Sequence, residues 1–263
     1  MRPAQSGTVT GYKEFEMNLS TAPLRNTLQS TPKPSRKTVD AFTRTLHALM
    51  ALCFTGAFIT AESEVFRLVH LSLGYTMGGL FVVRLLWGGL GPRQVRWSAL
   101  WGKLSGLQSW VESFKLGQVA WRQGQNLFLS LTVVALLLAM APVVLSGVVT
   151  EQGWTGDWMA EIHEFFGNFM LLAVLAHLAG VILFSALRRR NMAKPMLTGR
   201  IEGAGPDLIK SNHAGLAVLL LAAVLSFWVW QWQTSPQGQS GAGFGASLGT
   251  GVATFLKAQS DDD

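Results

Sequence analysis

Four of the chain's five histidines, His47, His70, His163 and His177, lie within or at the ends of apolar stretches long enough to cross a membrane. An imidazole nitrogen carried into hydrocarbon is costly unless it has a partner, so an intramembrane histidine marks a candidate functional site. His163 and His177 are fourteen residues apart, which on one helix is about 21 Å along the axis and within roughly 40° of a single face. One helix face can therefore present ligands at two depths. A lone zinc ion needs ligands that converge on one point, and these four cannot converge over that span. Neutral imidazoles facing each other across a flat macrocycle coordinate its iron from both sides and leave no open position, which suits electron transfer rather than oxygen binding. The expected cofactors are two haem b groups with their iron. They would be held without covalent attachment, because Cys53 is the only cysteine and no CxxCH motif exists.

The elements that must position these residues follow from hydropathy. The chain has 263 residues, 49% hydrophobic and 14% charged, with a mean hydropathy of +0.30. That is too apolar for an ordinary soluble domain. Five segments, 41–61, 68–91, 127–149, 158–187 and 214–232, approach or exceed the roughly 20 residues needed to span a bilayer core. The fold class expected is an all-α integral membrane protein, a four-helix di-haem bundle plus a fifth transmembrane helix. The net charge of +6 does not point to nucleic acid, because the basic residues cluster between apolar segments.

Lysine and arginine set the expected orientation. Arg25, Lys33, Arg36, Lys37 and Arg44 precede or open the first segment. Arg93, Arg96, Lys103, Lys115 and Arg122 lie between the second and third, and Arg188, Arg189, Arg190, Lys194, Arg200 and Lys210 follow the fourth. The opposite connections carry Glu62, Glu64, Glu151 and Asp157 with only Arg67 against them. The amino terminus is thus expected in the cytoplasm and the carboxyl terminus in the periplasm of a bacterial inner membrane. Depth then pairs His70 with His163 on the outer side and His47 with His177 on the inner side.

Further residues have two readings each. Arg44, one turn before His47, and Arg84, near the inner end of the second segment, are candidates to meet haem propionates; the alternatives are a positive-inside anchor for Arg44 and snorkelling for Arg84. Gly74, Gly78, Gly79 and Gly167 leave room for a porphyrin or simply let helices approach, the second being favoured for the glycines alone. Glu164 is a candidate proton relay, with solvation at a helix start the simpler reading. Trp228, Trp230 and Trp232 read as an outer aromatic belt. Met50, Met77 and Met170 read as packing, and His213 as an interfacial residue.

With these residues in view, the chain resembles the prokaryotic cytochrome b561 family, which includes the b-type cytochrome subunits of nickel-iron hydrogenases. The resemblance is carried by Arg44-Thr45-Leu46-His47, His70 through Gly74-Tyr75, Arg84-Leu85-Leu86-Trp87-Gly88, Gly124-Gln125-Asn126, His163-Glu164 and His177-Leu178-Ala179-Gly180, over roughly 38–232. It implies a four-helix haem-binding bundle, often with extra helices, whose two b haems use histidines from helices one, two and four. The chain departs from the family at Ala48, where tryptophan often follows the histidine, and at Gln125 and Leu127 of a Gly-His-Asn-Pro pattern.

The expected organisation is a flexible cytoplasmic tail over 1–40 and a di-haem core over 41–190 containing a cytoplasmic loop at 92–126. A connector at 191–212, a fifth transmembrane helix at 213–233 and a flexible periplasmic tail at 234–263 complete it. The loop at 92–126, with Trp97, Trp101, Trp110 and Trp121 among basic residues, reads as an interfacial amphipathic stretch. The expected function is transfer of electrons across the membrane between a periplasmic redox protein, such as a c-type cytochrome or an oxidoreductase subunit, and a quinone or other acceptor. Membrane lipid is the surrounding partner. An electron-transfer subunit is favoured over a stand-alone enzyme, with no catalytic acid or base assigned. The alternatives are a self-sufficient quinone or superoxide oxidoreductase and a haem-free scaffold or transporter.

Overall fold

The structure, a computed structural model, describes residues 34–117 and 120–235. Of the tails expected at 1–40 and 234–263, residues 1–33, with Arg25 and Lys33, and 236–263 lie outside the described residues. The elements in order are β1 (Ser35–Lys37), α1 (Ala41–Thr60), a single 3-10 turn (Glu64–Phe66), α2 (Arg67–Leu90), α3 (Trp97–Leu104), α4 (Gly106–Lys115), α5 (Trp121–Glu151), α6 (Trp158–Leu187), α7 (Lys194–Thr198), β2 (Arg200–Glu202) and α8 (Ala214–Thr234).

Five of these helices, α1, α2, α5, α6 and α8, are long and apolar enough to cross a membrane. Large apolar side chains stand on their outer faces, among them Ile59, Leu138 and Ile182, each at least 70% exposed. Contiguous apolar surface of that kind is untenable in water and ordinary in lipid, where a helix satisfies its own backbone groups. The protein is therefore an all-α, multi-pass membrane protein.

Local signals set the helix ends. α1 begins at Asp40, whose carboxylate accepts from the Thr43 amide at 3.2 Å and from the Thr43 hydroxyl at 2.6 Å, satisfying a donor that the first turn leaves open. α2 stops at Gly91-Pro92, since proline has no amide to continue the ladder. Gly199, at φ 76°, closes α7 in the left-handed region that glycine enters at least cost.

α5 packs most extensively on α6 and α1 on α2, while α2 bridges to α5 and α8 lies on α1 and α2. Among the described residues, α6 has its main packing on α5 and little on α1 or α2. The bundle core contains Leu46, Cys53, Leu80, Ala139, Met140 and Met170, each 2% exposed or less. Met77 joins that core and Met50 packs against it, so all three methionines pack as expected.

Three local expectations need correction. Residues 34–40, read as the end of a flexible tail, are ordered: β1 pairs antiparallel with β2, Arg36 opposite Ile201, and Asp40 is 1% exposed. The loop read over 92–126 is shorter, because α5 starts at Trp121 and takes Arg122 to Asn126 into its first turns. Gln123 then ties α5 to α4 by donating to the Gly106 carbonyl at 2.9 Å. Trp228, read as part of the outer belt, turns inward and donates its indole N–H to the Thr76 hydroxyl at 2.7 Å, whereas Trp230 and Trp232 remain exposed.

Candidate functional site

His70 sits in the first turn of α2 and His163 in the second turn of α6, and the two rings stand edge-on to each other with centroids 6.1 Å apart and planes at 79°. Each ring is held from behind by a backbone carbonyl. His70 Nδ1 lies 2.8 Å from the Ala57 oxygen. That oxygen is open to it because the Ala61 amide at the end of α1 turns back to Phe58 instead. His163 Nδ1 lies 2.9 Å from the Val143 oxygen, with the Ser146 hydroxyl at 3.3 Å. A carbonyl only accepts, so in each neutral ring Nδ1 carries the hydrogen and donates, leaving the lone pair on Nε2. This is the tautomer that metal-ligating histidines adopt when a second group orients them.

The space around this pair is shaped for a group larger than a side chain. A cavity of about 450 Å³ is bordered by His70, Gly74, Tyr75, Gly147, His163 and Gly167, among others. A Cβ on Gly74 or Gly167 would meet nothing within 4 Å, whereas one on Gly78 would fall 2.9 Å from Val144 Cγ1. The glycines thus divide between the two readings: Gly78 serves helix packing, while Gly74 and Gly167, like Gly79, border open space. A Cβ on Gly147 would fall 2.8 Å from His163 Cε1, so this glycine is what lets the ring take its position. At the cavity mouth Arg67 pairs with Glu151 at 2.8 Å, and Glu164 is exposed beside it.

The other two histidines are set differently. His177 Nδ1 lies 3.1 Å from the Thr132 hydroxyl. Thr132 spends its own hydrogen on the Leu129 carbonyl at 3.0 Å, so it accepts from His177 and again leaves Nε2 free. His47 is exposed on α1, and among the described residues its ring makes no hydrogen bond to protein.

Arg44 and Arg84 each contact protein. Arg44 Nη1 donates to the Leu197 carbonyl at 2.9 Å, tying α1 to the segment after α6. The Arg84 guanidinium lies over the Trp97 ring at 5.2 Å from its centroid. His213 caps α8 at φ 47°, stands edge-on to Trp87 with centroids 5.2 Å apart and faces Asp40 Oδ2 at 3.6 Å. The residues not anticipated are Thr132, Gly147 and the carbonyls of Ala57 and Val143. Gly147 alone carried a signal, as a glycine within an apolar helix.

The residues present fit a haem. Two metal–imidazole bonds of about 2.0–2.1 Å on opposite sides of one metal put ring centroids roughly 6 Å apart once each ring's radius is added, against 6.1 Å for His70 and His163. The orienting hydrogen bonds and the cavity agree with that chemistry.

No curated protein and no solved structure is significantly similar to the chain. The model of the prokaryotic cytochrome b561 family matches residues 38–199. This match takes in α1 to α7 and all four histidines, but stops short of α8 and of the 38–232 range over which the resemblance was read. The chain therefore belongs to the prokaryotic cytochrome b561 family, and it is a membrane b-type cytochrome of electron transfer.

Proposed function

We propose that the chain carries single electrons across the bacterial inner membrane between two bis-histidine sites, His70 with His163 on the periplasmic side and His47 with His177 on the cytoplasmic side. The observation that carries this reading is the outer pair: adjacent rings, each with Nδ1 on a backbone carbonyl and the Nε2 lone pair left free for a ligand bond. When bound, haem b supplies one-electron chemistry at an iron with no open coordination position.

The chain's own part is to hold and insulate. Ala57, Val143 and Thr132 fix the imidazole tautomers. α6 contributes a ligand to each level, about 21 Å apart along its axis, so one rigid element sets the spacing of the relay. The distribution of lysine and arginine supports a cytoplasmic amino terminus and a periplasmic carboxyl terminus. On that topology the donor or acceptor outside is a periplasmic redox protein, and the one inside is a quinone or another acceptor.

Replacing one ligand at each level tests the pairing. His163→Ala should lose one haem and keep the other, and His177→Ala should do the reverse, each read as haem per chain with two distinct spectral components. Retention of both haems in either variant would overturn the pairing.

A further inference from the structure

A second cavity, of about 600 Å³, opens where α2, α3 and α5 meet, away from the four histidines. Its walls are apolar and aromatic: Phe81 and Leu85 from α2, Trp97 and Trp101 from α3, Leu137 and Leu138 from α5. Trp97 is pinned there. Its indole N–H donates to the Leu85 carbonyl at 3.1 Å, and Gly88 makes room for it, since a Cβ at that position would overlap the indole.

Arg84 lies over the same indole, and its Nη1 is buried without a hydrogen-bond partner. A guanidinium is always charged and can only donate, so a buried unpaired N–H calls for an acceptor oxygen. Arg84 is six residues from the end of α2, roughly 9 Å along the axis, within reach of the headgroup level for a snorkelling side chain. Charge along the chain is one-sided here. From Val65 to Val111 there is no Asp or Glu, while Arg84, Arg93, Arg96 and Lys103 all fall in the inner part of that stretch.

An apolar slot lined by interfacial tryptophans, with a guanidinium of one unpaired N–H over the ring of one of them and further uncompensated cations nearby in sequence, matches an amphiphile with a hydrocarbon tail and an anionic head. We infer that this cavity binds one anionic phospholipid, an acyl chain lying between α2, α3 and α5 and the phosphate accepting from Arg84. Arg93 and Arg96 add attraction for the head. The inference does not depend on haem ligation.

The test is native mass spectrometry of the full chain in mild detergent, offered equal concentrations of palmitoyl-oleoyl phosphatidylglycerol or phosphatidylcholine. One phosphatidylglycerol should be retained in preference to phosphatidylcholine. Arg84→Gln should weaken that retention about tenfold, the usual worth of a charge-assisted hydrogen bond; Arg84→Lys should restore part of it. Ala141→Phe, which fills the slot, should lower retention of either lipid, and Lys115→Gln on α4 should change nothing. Equal retention of the two lipids by the wild-type chain would overturn the inference. So would an Arg84→Gln protein of unchanged helix content that keeps phosphatidylglycerol as the wild type does, or a loss in Lys115→Gln equal to that in Arg84→Gln.

Discussion

Replacing Thr132 by valine removes the hydroxyl that accepts from His177 Nδ1 at 3.1 Å while keeping a side chain of nearly the same shape at a buried site, 8% exposed. A hydrogen bond from the distal ring nitrogen raises the basicity of an imidazole ligand, and a more basic ligand favours the oxidised iron. Its loss should therefore raise the midpoint potential of one of two haem components. A net hydrogen bond is worth about 0.5–1.5 kcal/mol. Felt wholly in one oxidation state, that converts to about 20–65 mV, at about 59 mV per tenfold for one electron. The assay is a potentiometric titration of the visible spectrum of wild type, Thr132→Val and Thr132→Ser. One component should move up in Thr132→Val, the other should stay, and Thr132→Ser should remain near wild type because its hydroxyl can still accept. A downward shift, an equal shift in Thr132→Ser, or no shift with both haems retained would refute the assignment of Thr132 as the group that orients His177.

Three further outcomes are expected. Gly147→Ala places a methyl 2.8 Å from His163 Cε1, so the ring must move; the outer component should lose intensity or change its band positions while the inner one is spared. Asp40→Ala removes both bonds that cap α1 and should cost about 0.5–2 kcal/mol of stability, read as a lowered denaturation midpoint by circular dichroism in detergent. The topology predicts that Glu62→Cys is labelled by an impermeant maleimide from the periplasmic side and Arg189→Cys only after the membrane is opened, with native Cys53, 0% exposed, silent in both; the opposite labelling pattern would reverse the orientation.

Hydropathy made the long helices legible, since runs such as Leu127 to Val149 hold no charged residue and can be satisfied only as a helix in lipid. The bounds of α6, Trp158–Leu187, are those expected from the sequence. The juxtaposition of His70 with His163 was legible too, because successive spans alternate in direction and both residues lie near the start of helices entered from the same side. The groups behind the rings were not. Ala57 and Val143 act through backbone carbonyls, which carry no side-chain signature, and Thr132 lies on a different helix from His177. The ribbon of β1 and β2 was equally hidden: Ser35-Arg36-Lys37 is polar and short, and its partner strand follows α7, far along the chain. Arg44 and Arg84 were placed by type and position, yet a helix residue's neighbours are decided by tertiary packing. The contacts with the Leu197 carbonyl and the Trp97 ring therefore had no signature in the sequence.

Haem content tests the central claim most directly. The purified full-length protein, quantified by pyridine haemochrome and examined by a reduced-minus-oxidised visible spectrum, should hold about two b-type haems per chain with the low-spin bands of bis-histidine iron. A folded protein that takes up no haem under ample supply, or only high-spin haem, would contradict the account of two bis-histidine sites.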